Sequence, residues 1–444
     1  MSLFFIILLS FLIPVLSGFF LVSLIDREMA LRFRVLFSIP VGFGLHSIFY
    51  FLYQCLNIYK FRNFEIFEGI VVLVLAICYY NQERPNFSKH KFKKLNNWFY
   101  VINVYAIAMF AKYFINNPMG SWDGFRIWNT KAEFLFLQSP LWKNVFHLPH
   151  FMSHCDYPMF LPSSIARLWN YFGEQNFYLS VLFGAIFTFA LIYLLYQAIC
   201  YFKSEKTAYI VCTVYAISDI FLVNGAAQCA DIPLAMFFLS AIVCVFLYFK
   251  WNRFSTLVLS LILAGLGAWV KNEGMMFFLI FVLVLLGWFL YKKEYKHILW
   301  TTLWSIPIVL CYWLYKKFTG APNDLVLGLM VAKSYKFALE PMRYLVVLKT
   351  FLSMLLSRFV IFLSLLILCL KGFKVRATNK DAFVVSLLIF VGCILGYVMV
   401  YIIAPHDITW LVENSMERII LQILPVFLFL YSLSLRIGKP DTIN

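Results

Sequence analysis

Charge is what this chain has least of. Only 13% of its 444 residues are Asp, Glu, Lys or Arg, against 63% hydrophobic, a balance that excludes a soluble globular domain and requires lipid as solvent. Also missing is any interval between apolar runs long enough for a separate soluble domain, so chemistry has to sit in loops and at helix ends. The runs lack the period-two alternation of spanning strands, so each must satisfy its backbone hydrogen bonds internally as a helix. The first run has no basic residue before it and no small-residue cleavage site, and reads as a retained helix rather than a signal peptide.

What is present is an all-α polytopic membrane protein of about thirteen transmembrane helices. The spans begin Leu3–Ile25, Val35–Leu56, Ile66–Tyr80 and Trp98–Ile115, and continue with Phe177–Ile199, Thr207–Val223, Ile232–Tyr248, Phe254–Val270 and Gly274–Tyr291. Leu299–Tyr315, Tyr344–Leu370, Phe383–Ala404 and Ile419–Leu435 complete the set.

Orientation follows from Lys and Arg in the loops. With the amino terminus outside, the cytoplasmic segments hold Arg27, Arg32 and Arg34, the run from Arg84 to Lys94, Lys203, Lys206, Lys250, Arg253, Lys292, Lys293, Lys296, Lys371, Lys374, Arg376, Lys380, Arg436 and Lys439. The net charge of +16 is then accounted for by basic loops facing anionic lipid, and no nucleic-acid partner is expected.

That topology places five polar groups on the other side. In the first large outer loop, 116–176, Ser121-Trp122-Asp123-Gly124 opens a stripe of Phe125, Trp128, Ala132 and Leu135 at helical spacing, with Arg126 facing away; this predicts a short interfacial helix, with Asp123 either its cap or a reactive carboxylate. Farther on, His154-Cys155-Asp156-Tyr157-Pro158 makes a turn before a second amphipathic helix near Ile165–Tyr171. His147, His150 and His154 match no strong zinc spacing. Asp231 opens a span in Ala230-Asp231-Ile232-Pro233, an arrangement that also suits ordinary helix initiation. Lys271-Asn272-Glu273-Gly274 sets a cation and a carboxylate between two spans with almost no loop, where charges pair or bind something. Arg418 leads into Gln422-Ile423-Leu424-Pro425, either snorkelling to the interface or gripping a phosphate.

At these residues the sequence resembles the integral-membrane glycosyltransferases of the GT-C superfamily, in the branch of protein O-mannosyltransferases and lipid A aminoarabinose transferases. Asp123 looks like the acidic residue of that family's first large outer loop, Asp231 like that of the second outer turn, and Arg418 to Pro425 like its Arg, apolar run and Pro. The resemblance covers roughly Trp98 to Leu435, leaving 1–97 as an N-terminal three-helix extension and 98–444 as the GT-C-like module. The family pattern differs in placing its acidic loop directly after the first helix and in carrying Asp-Glu where this chain has Asp123-Gly124.

The resemblance implies transfer of a sugar from a polyprenyl-phosphate-linked donor to an extracytoplasmic acceptor (lipid, glycan or protein), at the outer face of a bacterial cytoplasmic membrane. Asp123 and Asp231 are the expected catalytic residues; Arg126, Asp156, Lys271, Glu273 and Arg418 are expected to bind substrate, and a divalent metal ion beside Asp231 is left open. Two other classes fit the composition. A polysaccharide polymerase or O-antigen ligase would carry a large late outer loop rich in Arg and His, whereas here the largest outer segment comes early. A transporter would carry charges within its spans, of which Arg358 and Asp219 are the chief examples, or inverted repeats with broken helices, and no repeat is evident.

Overall fold

The computed structural model describes residues 3–57, 64–82, 97–138, 140–147, 154–321, 336–357, 372–404 and 406–436. Among them the chain is all-α, with one isolated bridge between Phe373 and Leu435 and no strand. The first helices are α1 (Leu3–Ile25), α2 (Leu31–Cys55), α3 (Phe64–Asn81) and α4 (Asn97–Asn116). The segment after α4 holds α5 (Thr130–Phe136) and α6 (Phe160–Phe172), followed by α7 (Phe177–Phe202), α8 (Glu205–Ala216) and α9 (Asp219–Ala226). Next come α10 (Asp231–Trp251), α11 (Phe254–Ala268), α12 (Asn272–Tyr291) and α13 (Tyr295–Thr319), then α14 (Pro341–Ser357), α15 (Lys380–Ile403) and α16 (Ile408–Ser434).

Nine of the described helices are long and apolar enough to cross a membrane, or ten if α8 and α9, bent by 63° at their junction, form one broken span. This integral membrane protein therefore shows fewer unbroken spans among its described residues than the expected thirteen. With 15 residues, α11 covers only about 22 Å at 1.5 Å per residue, short of a hydrocarbon core. α14 accounts for the first half of the expected Tyr344–Leu370 span, whose remainder lies outside the described residues together with Arg358, His150 and the basic run 84–94.

α10 is the centre of the bundle. Almost every residue from Asp231 to Tyr248 is buried, with α11, α16, α7 and α15 packed around it. Being apolar on all sides, it suits a helix enclosed by other helices. Lipid-facing positions lie on α3 (Ile66, Ile70, Leu73, Val74) and α13 (Trp304, Trp313, Leu310). α1 and α2 cross closely, because Gly18 and Gly42 each place bare backbone against the other helix. They pack in turn on α6, and α2 also on α7.

The two ends of the bundle differ in chemistry. At the end where α7, α10 and α16 finish, basic side chains hold carbonyls that helix termini leave open: Lys203 Nζ donates to Leu433 O and Leu435 O, and Arg376 Nη2 to Lys203 O at 2.9 Å. Arg253 Nη1 lies 3.3 Å from Asp26 Oδ1 at the same end. The opposite end, where α10 and α12 begin, gathers carboxylates.

The expected interfacial helices pack into the protein instead of lying on its surface. Residues Gly124–Asn129 form a π-helical turn that runs into α5. Trp128, Ala132 and Leu135 are buried, and α5 rests on α6, so the apolar stripe is spent on protein contacts; Phe125 alone of the four is exposed. The second helix is longer than expected, and Phe160 to Trp169 are all buried.

Candidate functional site

Three local devices bring distant carboxylates together. Gly120, at φ +82°, turns the chain so that Ser121 N donates to Ala227 O at 3.0 Å. Gly124 lies so close to the same carbonyl that any Cβ would collide with it. The side chains reinforce this docking: Asn129 Nδ2 donates to Gln228 Oε1 at 2.7 Å and Gln228 Nε2 to Pro118 O at 2.9 Å. The segment carrying Asp123 is thereby fixed beside the turn that opens α10 with Asp231. On the other side, Gly274 lets α12 pack directly against the Gly267 carbonyl of α11, so the hairpin closes with Lys271, Asn272 and Glu273 at its tip.

Neither aspartate caps a helix. Ser121 Oγ accepts from Gly124 N at 3.1 Å and holds the start of the turn. Asp123 instead accepts a hydrogen bond from Arg418 Nη1. Asp231, 1% exposed, accepts from Lys271 Nζ at 3.0 Å and from Gln422 Nε2 at 2.6 Å, both on Oδ1. Gln422 in turn accepts from Tyr397 OH at 2.9 Å, and Lys271 Nζ lies 2.9 Å from Glu273 Oε1. Glu273 Oε2 is buried with no hydrogen-bond donor.

A second group borders the first. Asp156 Oδ2 accepts from Asn272 Nδ2 at 2.6 Å and from Lys316 Nζ at 3.3 Å, while Tyr312 OH donates to Asn272 Oδ1 at 2.8 Å. Tyr157 lies between the groups, its ring 5.3 Å from Lys271 Nζ and stacked on Trp128 and His154.

Burial alone would lower the pKa of the Lys271 ammonium, but the carboxylates of Asp231 and Glu273 outweigh it and hold the group well above the usual lysine range. Burial, reinforced by Glu273, raises the Tyr157 phenol well above its ordinary value despite Lys271. The Cys229 thiol, 3.3 Å from Ser121 Oγ, is pushed up to about 12 by burial and by Asp231.

Of the seven residues expected from the sequence, the structure joins Asp123, Asp231, Lys271, Glu273 and Arg418 in one region and sets Asp156 on its border. Arg126 stays outside: it is exposed, its guanidinium 5.9 Å from the Phe125 ring centroid. A resident metal ion finds no fitting donor set. Asp231 Oδ1 is taken by an ammonium and an amide, Asp123 by a guanidinium, and among the described residues no group of three His, Cys, Asp or Glu side chains is placed to hold one. His154 stacks on Tyr157, 4.5 Å between ring centroids.

Tyr397, Tyr312 and Lys316 escape sequence reasoning because nothing marks them among many similar residues in apolar runs. Gln422 carries a usable signal, an amide one helical turn from Arg418 in an otherwise apolar stretch.

Beside the ion network is a small apolar cleft of about 20 Å³ between α14, α15 and α16, lined by Phe351, Ile394, Tyr397, Tyr401, Ile419 and Ile423. Tyr397 belongs to both, and Ile419 follows Arg418, so cleft and charges are contiguous. Compared with models of protein families, with curated proteins and with solved structures, the chain matches none.

Proposed function

We propose that the protein is a membrane glycosyltransferase of GT-C type, moving a sugar from a polyprenyl-phosphate carrier to an acceptor on the outer side of a bacterial cytoplasmic membrane. The observation that carries this reading is an ionic site in which one buried carboxylate oxygen, Glu273 Oε2, has no donor, and which borders an apolar cleft. The apolar lining marks where a hydrocarbon chain would run against the protein, and the adjoining cations suit the phosphate that joins such a chain to a sugar.

In this mechanism Arg418 and Lys271 face the incoming phosphate while each stays held by its carboxylate partners, Arg418 by Asp123 and Lys271 by Asp231 and Glu273. The acceptor hydroxyl or amine attacks the anomeric carbon, the bond to the phosphate oxygen breaks, and the electron pair leaves with the phosphate. Charge collects on phosphate oxygens in the transition state, where fixed cations stabilise it most. The acceptor proton goes to Glu273 Oε2, which has no competing donor. The general-base role thus goes to Glu273, which was expected only to bind substrate, and not to Asp123, which is paired with Arg418. Asp231 keeps Lys271 charged and in place.

The test is mass spectrometry of envelope glycolipids and glycans from cells lacking the protein, complemented with wild type or Glu273→Gln at matched membrane abundance. Loss of a discrete sugar mass, restored by wild type alone, supports the assignment. Restoration by Glu273→Gln removes Glu273 from the chemistry and returns it to a turn contact of Lys271.

One observation favours a second reading. The 63° break between α8 and α9, next to Asp219, is the broken helix expected of a transporter. Accumulation of an intact lipid-linked glycan, with no sugar missing from any product, would favour transport.

A further inference from the structure

A second ionic cluster lies apart from the site, where the three N-terminal helices meet α6. Arg167 of α6 grips Glu68 of α3 with two parallel bonds, Nε to Oε1 at 2.6 Å and Nη2 to Oε2 at 2.7 Å. Tyr171 OH donates to Oε2 at 2.6 Å, and His46 Nδ1 of α2 pairs with Oε1. Three side chains, making four hydrogen bonds, thus fill the acceptor capacity of one carboxylate. The third guanidinium nitrogen, Nη1, donates to Ser10 O of α1 at 2.7 Å. That carbonyl is open because Pro14, four residues on, has no N–H to give it. His46 Nε2 completes the connection to α1 at Ser17 Oγ, 2.8 Å away. Glu68 and His46 are 0% exposed and Arg167 1%.

A cluster so completely enclosed offers no room for a ligand. What it does is set the position of α6 against three helices at once. The residues just before α6 are those that enter the site. Asp156 meets Asn272 and Lys316, Tyr157 faces Lys271, and Phe160 N donates to Trp269 O at 3.2 Å. Arg167 is seven residues, about two helical turns or roughly 10 Å, from the start of α6, so a shift at Glu68 is carried along a rigid helix to that turn.

We propose that Glu68 and Arg167 are positioning residues, and that the N-terminal helices serve to hold the 154–159 turn against the Lys271–Glu273 hairpin. This rests on no particular chemistry at the site. Cys155 is a native reporter in that turn, 1% exposed, and Cys229 beside Asp231 is a control that the node does not hold.

The experiment measures maleimide labelling rates of both cysteines, mapped by mass spectrometry, on the detergent-solubilised full-length protein. Two variants are used: Arg167→Lys, which keeps the charge but loses the planar fork, and Glu68→Met with Arg167→Met, which removes both charges together and so leaves none unpaired. The expected result, in either variant at wild-type abundance, is Cys155 labelled at least about tenfold faster with Cys229 unchanged. Unchanged Cys155 rates in both variants would overturn the proposal. So would equal acceleration of Cys155 and Cys229, which would mean general loosening of the fold.

Discussion

Among the described residues the Glu68 and Asp231 clusters are built from similar residue types, and they are finished differently. Around Glu68 both oxygens of the carboxylate are taken, Glu68, His46 and Arg167 are almost fully enclosed, and one guanidinium answers one carboxylate. Around Asp231 three carboxylates face two cations, the Arg418 and Asp123 side chains are 30% and 22% exposed, and one oxygen of Glu273 has no donor. A cluster that is closed and satisfied specifies position; one left open and unbalanced is prepared to take something in. Buried charge alone does not distinguish the two, since both are costly in the same way. Completeness of the hydrogen bonding does.

The sharpest way to break the comparison is to remove one partner from the closed cluster. Arg167→Met leaves Glu68 buried without its counter-charge, and the expected cost is about 3–5 kcal/mol of stability, read as a fall in thermal midpoint and membrane abundance. An Arg167→Met protein of wild-type stability would show that the cluster is not closed in solution. Glu273→Gln makes the opposite cut. Its carboxylate is partly exposed and one of its oxygens is unpaired, so stability should hold while sugar transfer falls by about 10²–10³-fold, measured as product formation at matched abundance. Loss of stability with unchanged transfer would reverse the roles of the clusters. Gln422→Leu is intermediate, because Gln422 is fully buried yet touches the site. Asp231 loses a donor and Tyr397 OH its acceptor, for an expected stability loss of about 1–2 kcal/mol.

The all-α, membrane-spanning character was legible in the sequence because the apolar runs are long and continuous, but the number of spans was not: nine of the described helices are long and apolar enough, against about thirteen expected. The broken α8–α9 pair was not legible either, since Ile217 and Ser218 give no composition change where the chain bends. The ends of the site were legible as well: Asp231, Lys271 and Arg418 are charges at helix termini or within a helix, where they need partners. Their pairing was hidden. That Arg418 meets Asp123 rather than open water depends on Gly120 and Gly124 docking one loop on the 227 carbonyl, a tertiary contact with no local signal. The role of the first three helices was hidden for the same reason. Glu68 in an apolar run announces a need, but only the fold shows that Arg167, 99 residues away, meets it.

The smallest expected effect concerns Lys271, and it sharpens the comparison from within the open site. Its ammonium is held above its unfolded value of about 10.4 by Asp231 and Glu273 against the opposing effect of burial. A raised folded pKa means that this group's contribution to stability is fully present below the unfolded value and is lost only as pH rises through the folded one. Between about pH 6 and 9 Lys271 should therefore impose no pH dependence on stability or transfer. Asp231→Asn should change that. With one carboxylate gone, burial weighs more heavily, the ammonium pKa falls, and an alkaline loss of transfer should enter the profile that a further Lys271→Met change abolishes. If Asp231→Asn lowers transfer equally at every pH, Asp231 acts on the acceptor directly and not through Lys271, and the chain from Gln422 through Asp231 to Lys271 is not the path by which the site keeps its cation.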